Sequence, residues 1–189
     1  MTISDPDRRL LLEVARRAIR HGLDRGRPLS VDPGDYPDIL RPVAATFVTL
    51  EDRAGLRGCI GRLEATRPLV EDVADNAYAA AFRDPRFPPL REDEWAAGLD
   101  VHISVLTPPE PLPVKDEEDL LAILRPGEDG LILEEGRHPA TFLPSVWDTL
   151  PIPAEFLFHL KQKAGLPPDY WSDEMRFLRY GSENFGDAG

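Results

Sequence analysis

Twenty prolines punctuate this 189-residue chain, about twice the usual share. Each one fixes its own φ and removes a backbone donor, so neither a long helix nor a long central strand can run through it. The chain must fold as many short elements joined by stiffened connections. Area scaling leaves roughly 70 % of the unfolded surface to be buried. That suffices for one sizeable core, or for a large lobe with a small one attached.

Apolar periodicity places the elements between the prolines. Leu10, Leu11, Val14, Ala15, Ala18 and Ile19 recur at helical spacing, which predicts a helix over 4–21 with Ser4 as N-cap and Gly22 as stop. Residues 23–42 read as a loop. Residues 43–50 and 56–60 read as two strands joined by the turn 51–55, a β-hairpin with a longer loop. A helix over 67–82 ends at Asp84-Pro85, and a short helix at 92–97 stops at Gly98. In 99–107, Leu99, Val101, Ile103 and Val105 face one way, and Asp100, His102, Ser104 and Leu106 the other. Residues 108–113 must be extended. Residues 116–124 form a capped helix, 130–134 and 140–143 strands joined near Gly136, 153–164 a helix and 175–180 a final strand. Strands arrive in hairpins and helices fall irregularly between them. This argues an α+β fold with a mainly antiparallel sheet and surrounding helices. The chain reads as one domain over 1–189, with the region around 51–82 forming a smaller lobe inserted in the larger.

Charge and cysteine usage exclude several functions. Lys and Arg number 22 against 34 Asp and Glu, a net charge of −12. Such a chain repels phosphate backbones and anionic lipid heads, so neither nucleic acid nor a membrane surface is an expected partner. The longest basic cluster, Arg16, Arg17, Arg20, His21, Arg25 and Arg27, reads as a solvated helix face. The only cysteine, Cys59, excludes an intrachain disulfide and a multi-thiolate metal site, and it suits a reducing compartment. The N-terminal residues lack the pattern of a signal peptide, and no apolar run is long enough to span a bilayer. A cytoplasmic location is expected. His21, His102, His138 and His159 show no metal-ligand spacing, so no metal is assigned. Dinucleotide, Walker, nucleophile-elbow and EF-hand signatures are absent.

The densest chemical signal is Leu56-Arg57-Gly58-Cys59-Ile60-Gly61. In an extended segment Arg57 and Cys59 point to one side, Leu56 and Ile60 to the other. A guanidinium beside a thiol favours the thiolate. Gly58 and Gly61 remove bulk on both flanks, which would let a ligand or another backbone approach closely. The plain alternative is that a lone cysteine is a small buried apolar residue. The second signal is Asp84-Pro85-Arg86-Phe87-Pro88-Pro89. Its prolines would hold Arg86 on a preset loop suited to clamping an anion. Otherwise it is a helix-ending turn in which Asp84 and Arg86 pair with neighbours. His102 would serve as a base for Cys59 if their strands are neighbours. Lys163 would place favourable charge at a helix C-terminus.

The string Leu56-Arg57-Gly58-Cys59-Ile60-Gly61 resembles the hallmark of the AMMECR-type domain family, called in prokaryotes protein A of the AmmeMemoRadiSam system. Further blocks follow in the family's order. They are Phe47-Val48-Thr49-Leu50, Asn76-Ala77 through Phe82, the Asp84 to Pro89 string and Ile103-Ser104-Val105-Leu106-Thr107. After these come Asp129-Gly130-Leu131, Phe142-Leu143-Pro144 with Val146, Phe156-Leu157, and Lys163-Ala164-Gly165-Leu166. The chain is identified as a member from about residue 8 to about 180. It departs at Ser145, where the family usually has glutamine, and at His102, where it commonly has an acid. The second departure weakens the case for His102 as a base. The resemblance implies an α+β fold of a larger and a smaller lobe with a cleft between. It also implies association with a Memo-type protein and a radical S-adenosylmethionine enzyme. It supplies no established reaction and names no cofactor, and oligomeric state stays open. The expected site comprises Cys59 as nucleophile or ligand contact, Arg57 as its activator and Arg86 as an anion clamp. Asp84 would orient Arg86, Gly58 and Gly61 would make room, and Lys163 would be a second cation. The competing expectation is a non-catalytic accessory module that docks protein partners through residues 56–61.

Overall fold

A computed structural model describes residues 2–136 and 139–187. His138 therefore lies outside the described residues. The chain divides into two compact units. One holds the residues up to Leu106 together with those from Glu183 onward, and the other is Thr107–Ser182. The expected smaller lobe around 51–82 is corrected by this division. That segment lies inside the first unit, because its hairpin strand pairs along its length with the preceding strand and its helix supplies Leu69, Val70, Val73 and Ala77 to the first unit's core.

The first unit begins with α1 (Asp5–Arg25), capped by Ser4, whose hydroxyl accepts from the Asp7 amide. The helix runs through Gly22 and ends at Gly26, which adopts φ 66°. Gly22 is not the stop. It is a packing glycine, since a Cβ there would lie 2.3 Å from the Phe82 ring. The first expected strand splits into β1 (Val43–Ala44) and β2 (Thr46–Asp52), followed by β3 (Gly55–Gly61) and β4 (Arg67–Pro68). Because Arg67 and Pro68 pair with β1, α2 (Leu69–Phe82) starts two residues later than its periodicity predicts. Then come α3 (Glu92–Ala97) and β5 (Asp100–Leu106).

The second unit contributes β6 (Glu110–Leu112), α4 (Glu117–Ile123), β7 (Gly130–Glu134), β8 (Ala140–Phe142), α5 (Pro153–Lys163) and β9 (Arg176–Tyr180). A strand with no sequence signal, β10 (Ser182–Gly186), returns to β5. The two four-stranded sheets run β10-β5-β2-β3 and β6-β9-β7-β8. The registers of β2 with β3 and β5, and of β9 with β6 and β7, are antiparallel. The fold is α+β.

Each unit has its own core. In the first, Val48 and Leu50 of β2 with Val101 and Ile103 of β5 pack against Leu11, Val14 and Ile19 of α1 and Val70, Val73 and Ala77 of α2. In the second, Leu120, Leu131, Leu133, Leu157 and Phe177 surround the stacked rings of Trp147 and Phe156, 3.8 Å apart. Among the described residues, no helix is long and apolar enough to cross a membrane.

Candidate functional site

β3 lies at the edge of its sheet, and its alternation sets the site. The turn before it is closed by Asp52, whose side chain accepts from the Ala54 amide, and by Gly55 at φ 114°. Gly58 and Ile60 face the core. A Cβ on Gly58 would stand 2.2 Å from the Ala80 carbonyl oxygen of α2, so only glycine lets helix and strand meet. Cys59 and Gly61 face the other way, while a register shift leaves Arg57 without a partner on β2 and outside this alternation. A Cβ on Gly61 would lie 2.3 Å from the Thr46 carbonyl. The space at both glycines is thus taken by the protein itself, by the Ala80 backbone at Gly58 and by the Phe47 ring and Thr46 carbonyl at Gly61, which corrects the expectation that they make room for a ligand.

Cys59 is half-buried. Thr49, directly opposite on β2, donates its hydroxyl to Sγ at 3.3 Å. The outward backbone groups of Cys59, which an edge strand leaves unpaired, are taken by the 84–89 loop. The Cys59 amide donates to Asp84 Oδ2 at 2.9 Å, and its carbonyl accepts from Arg86 Nη2 at 3.3 Å. Asp84 is itself buried and also accepts from the Arg86 amide, Nε and Nη2 at 3.0, 3.0 and 2.7 Å. The Arg86 guanidinium, helped by the Cys59 and Arg86 amides, holds the Asp84 carboxyl far below the usual carboxylate range against the opposing effect of burial. Arg86 is raised in turn, mainly by Asp84 and in smaller part by Cys59. Arg86 is therefore not a free anion clamp. Nε and Nη2 are engaged with Asp84, and the pair caps the strand edge at Cys59.

Arg57 is buried and turned to α3. Nε and Nη2 donate to the two Glu94 oxygens at 2.6 and 3.2 Å, and Nη2 also donates to the Pro88 carbonyl at 2.9 Å. This fork holds the Glu94 carboxyl below its ordinary range. The charge expected to activate the thiol is matched by Glu94, which corrects the role given to Arg57. The guanidinium that contacts Cys59 is that of Arg86, and it does so at the backbone carbonyl. Both guanidiniums stand by the Phe87 ring, with their central carbons 5.7 and 5.6 Å from its centre.

His102 does not neighbour β3. β2 lies between them, with Thr49 opposite both Cys59 and His102, and His102 Nε2 faces Glu51 at 3.4 Å. Lys163 belongs to the second unit, where it donates to the Thr141 carbonyl at 2.9 Å and lies 5.2 Å from the Phe142 ring. Among the described residues, no three His, Cys, Asp or Glu side chains could hold a metal ion. A hollow of about 420 Å³ on the first unit, bounded by Arg16, Arg53, Trp95 and Leu99 among others, includes none of the expected site residues.

Sequence reasoning missed three participants. Glu94 and Thr49 carry no local signal, since each is paired through tertiary structure alone. The third is a buried hub on α2. Asp72 Oδ2 accepts from the Thr46 amide, the Thr46 hydroxyl and Asn76 Nδ2, at 2.9, 2.7 and 3.0 Å. Burial pushes the Asp72 carboxyl up. The hub fixes Thr46, whose carbonyl together with the Phe47 ring leaves no room for a Cβ at Gly61. Its signal was available, because Asp72 and Asn76 are polar residues four apart on an otherwise apolar helix face.

Comparison with known proteins places this geometry in a family. The family model called AMMECR1 matches residues 12–185. A protein of Methanothermobacter thermautotrophicus is 41 % identical over 193 residues, spanning 99 % of this chain and 97 % of that one. Protein SSO0193 of Saccharolobus solfataricus is 44 % identical over 183 residues, spanning 91 % and 78 %. The crystal structure of the uncharacterized protein PH0010 from Pyrococcus horikoshii superposes with a TM-score of 0.84 at 37 % identity, covering 94 % of this chain and 89 % of its own. With nearly its whole length matched, the chain belongs to the AMMECR1 family.

Proposed function

We propose that this protein is a component of a modification pathway that works with a Memo-type protein and a radical S-adenosylmethionine enzyme, and that Cys59 is its reactive or ligand-contacting thiol. The observation that carries this reading is the setting of one sulfur. Cys59 is half-buried, with the Thr49 hydroxyl donating to Sγ and the Arg86 guanidinium donating to the residue's own carbonyl. The backbone at the same residue is gripped from outside by Asp84. A hydroxyl donor at the sulfur and a cation at the backbone of the same residue are polar surroundings that suit a reactive thiol better than an inert packed one. The test is a titration of the folded protein with alkylating reagents at about pH 8. The thiol should react, and a sulfur that stays unmodified until the chain unfolds removes the reading.

A second reading has its own observation. Leu56, at the start of β3, is 43 % exposed beside the hairpin turn. In this reading residues 56–61 dock a protein partner and no chemistry occurs. Pull-down of Memo-type or radical-enzyme partners with wild type and Cys59→Ala separates the two. Retained binding with lost pathway output favours the thiol, and binding lost with Leu56→Ser favours docking.

A further inference from the structure

Among the described residues, the only buried side-chain acceptors without a hydrogen-bond donor are Asp72 Oδ1 and Asn76 Oδ1. Both belong to the hub on α2, where Asp72 is fully buried and Asn76 almost so. The bonding of the Asp72 carboxyl is lopsided. Oδ2 takes three donors, the Thr46 amide, the Thr46 hydroxyl and Asn76 Nδ2, and Oδ1 takes none. A carboxylate has two equivalent acceptor oxygens, and both seek donors when buried. A carboxylic acid has one carbonyl oxygen that accepts and one hydroxyl that donates. The pattern at Asp72 is that of the acid, with Oδ2 as carbonyl and Oδ1 as hydroxyl. Turning the Asn76 amide over does not help its own oxygen, because Nδ2 also donates to the Thr46 carbonyl at 3.1 Å. One proton on Asp72 Oδ1 supplies what both oxygens lack.

The charges that face Asp72 do not outweigh its burial. Arg62, just after β3, brings Nε to 3.7 Å from Oδ1, too far for a hydrogen bond. Its Nη2 is committed to Asp75, which also takes Arg67 of β4. Both guanidiniums are about a third exposed, so water screens their pull, while Asp72 has no exposure through which water could stabilise a charge. We propose that Asp72 is a neutral acid in the folded protein at pH values where surface aspartates are ionised, with Oδ1–H donating to Asn76 Oδ1, and that this proton latches the open end of the β2–β3 ladder. The latch follows from Thr46. Its carbonyl accepts from the Arg62 amide at 3.2 Å as well as from Asn76, so the hub ties the first residue of β2 to the residue that leaves β3. Loss of the proton sets a buried charge beside an unmet oxygen and loosens that tie.

The test follows the carboxyl-carbon NMR signal of Asp72, assigned through its backbone, as pH rises. The signal should keep the protonated position after the exposed aspartates have moved, and shift only at higher pH. As it shifts, the protection of the Thr46 and Arg62 amides against hydrogen exchange, corrected for the intrinsic rate, should fall several-fold. Asp72→Asn is an uncharged isostere of the acid whose amide donates from the Oδ1 position, so its protection should stay level over the same range. Should that variant fail to fold, the two wild-type readings still decide. A signal that moves together with those of the surface aspartates overturns the neutral acid, and a carboxylate bridged by a trapped water would give that result. Protection that ignores the titration overturns the latch.

Discussion

In the second unit, Lys161 is fully buried and donates to Glu117 and to the Pro168 carbonyl, with its ammonium 5.8 Å from the Trp171 ring. Asp129, equally buried, accepts from the Arg125 amide, Nε and Nη2, and its carbonyl accepts from the Trp147 indole. These contacts join one part of the unit's scaffold to another. In the first unit, Asp84 makes the same kind of contacts to Arg86 but reaches one group further, to the backbone of Cys59. The same acid–arginine device closes a turn in one unit and holds the edge of a strand at the sole cysteine in the other. Buried charge by itself therefore does not mark a site. What distinguishes β3 is that its polar contacts converge on the backbone and sulfur of a half-buried cysteine.

The strongest challenge to this contrast uses glycine. Gly58→Ala drives a methyl into the Ala80 carbonyl at 2.2 Å, and Gly130→Ala drives one into the Tyr180 ring at 2.5 Å. Backbone and a buried ring yield little, so each variant should lose about 3 kcal/mol in urea melts. Only Gly58→Ala should also change the alkylation rate of Cys59. The next challenge is Asp84→Ala against Asp129→Ala. The arginine left behind is half-exposed in both cases, so the loss is that of hydrogen bonds and not of a stranded charge, about 2 kcal/mol each. Cys59 reactivity should follow Asp84 and ignore Asp129.

These contrasts show what the sequence made legible. The Ser4 cap, the 92–97 helix and the inward Val101, Ile103 and Val105 follow from local pattern, and the structure holds them as expected. Cys59, Asp84 and Arg86 stand together because the loop after α2 returns to the strand edge. The partner of Arg57 was not legible, because Glu94 lies 37 residues away and meets it only through the fold. Nor was the role of Gly58 and Gly61, since close approach by a ligand and by backbone demand the same absent side chain. The split of the chain at residue 107 was hidden because it falls in a proline-rich run with no change of composition.

Acid sharpens the comparison within the first unit. Asp84 is depressed, so its contribution is present above the unfolded carboxylate value near 3.9 and is lost as pH falls through its lower folded value. The stability gap between wild type and Asp84→Asn should shrink below about pH 4. Asp72 is raised by burial, so wild type should gain relative to Asp72→Asn as pH falls toward the same value. The two effects should therefore flank that value, Asp72 giving a gain as pH falls toward it from above and Asp84 a loss as pH falls below it. The smallest effect is that of Thr49→Val. It removes one hydroxyl from Sγ and should alter the alkylation rate of Cys59 only several-fold, with stability within about 1 kcal/mol of wild type.

The most direct measurement is the mass of the intact chain after brief exposure to iodoacetamide, with and without urea. The account predicts a single adduct on the folded protein, located at Cys59. An adduct that forms only once the chain has been unfolded would contradict it.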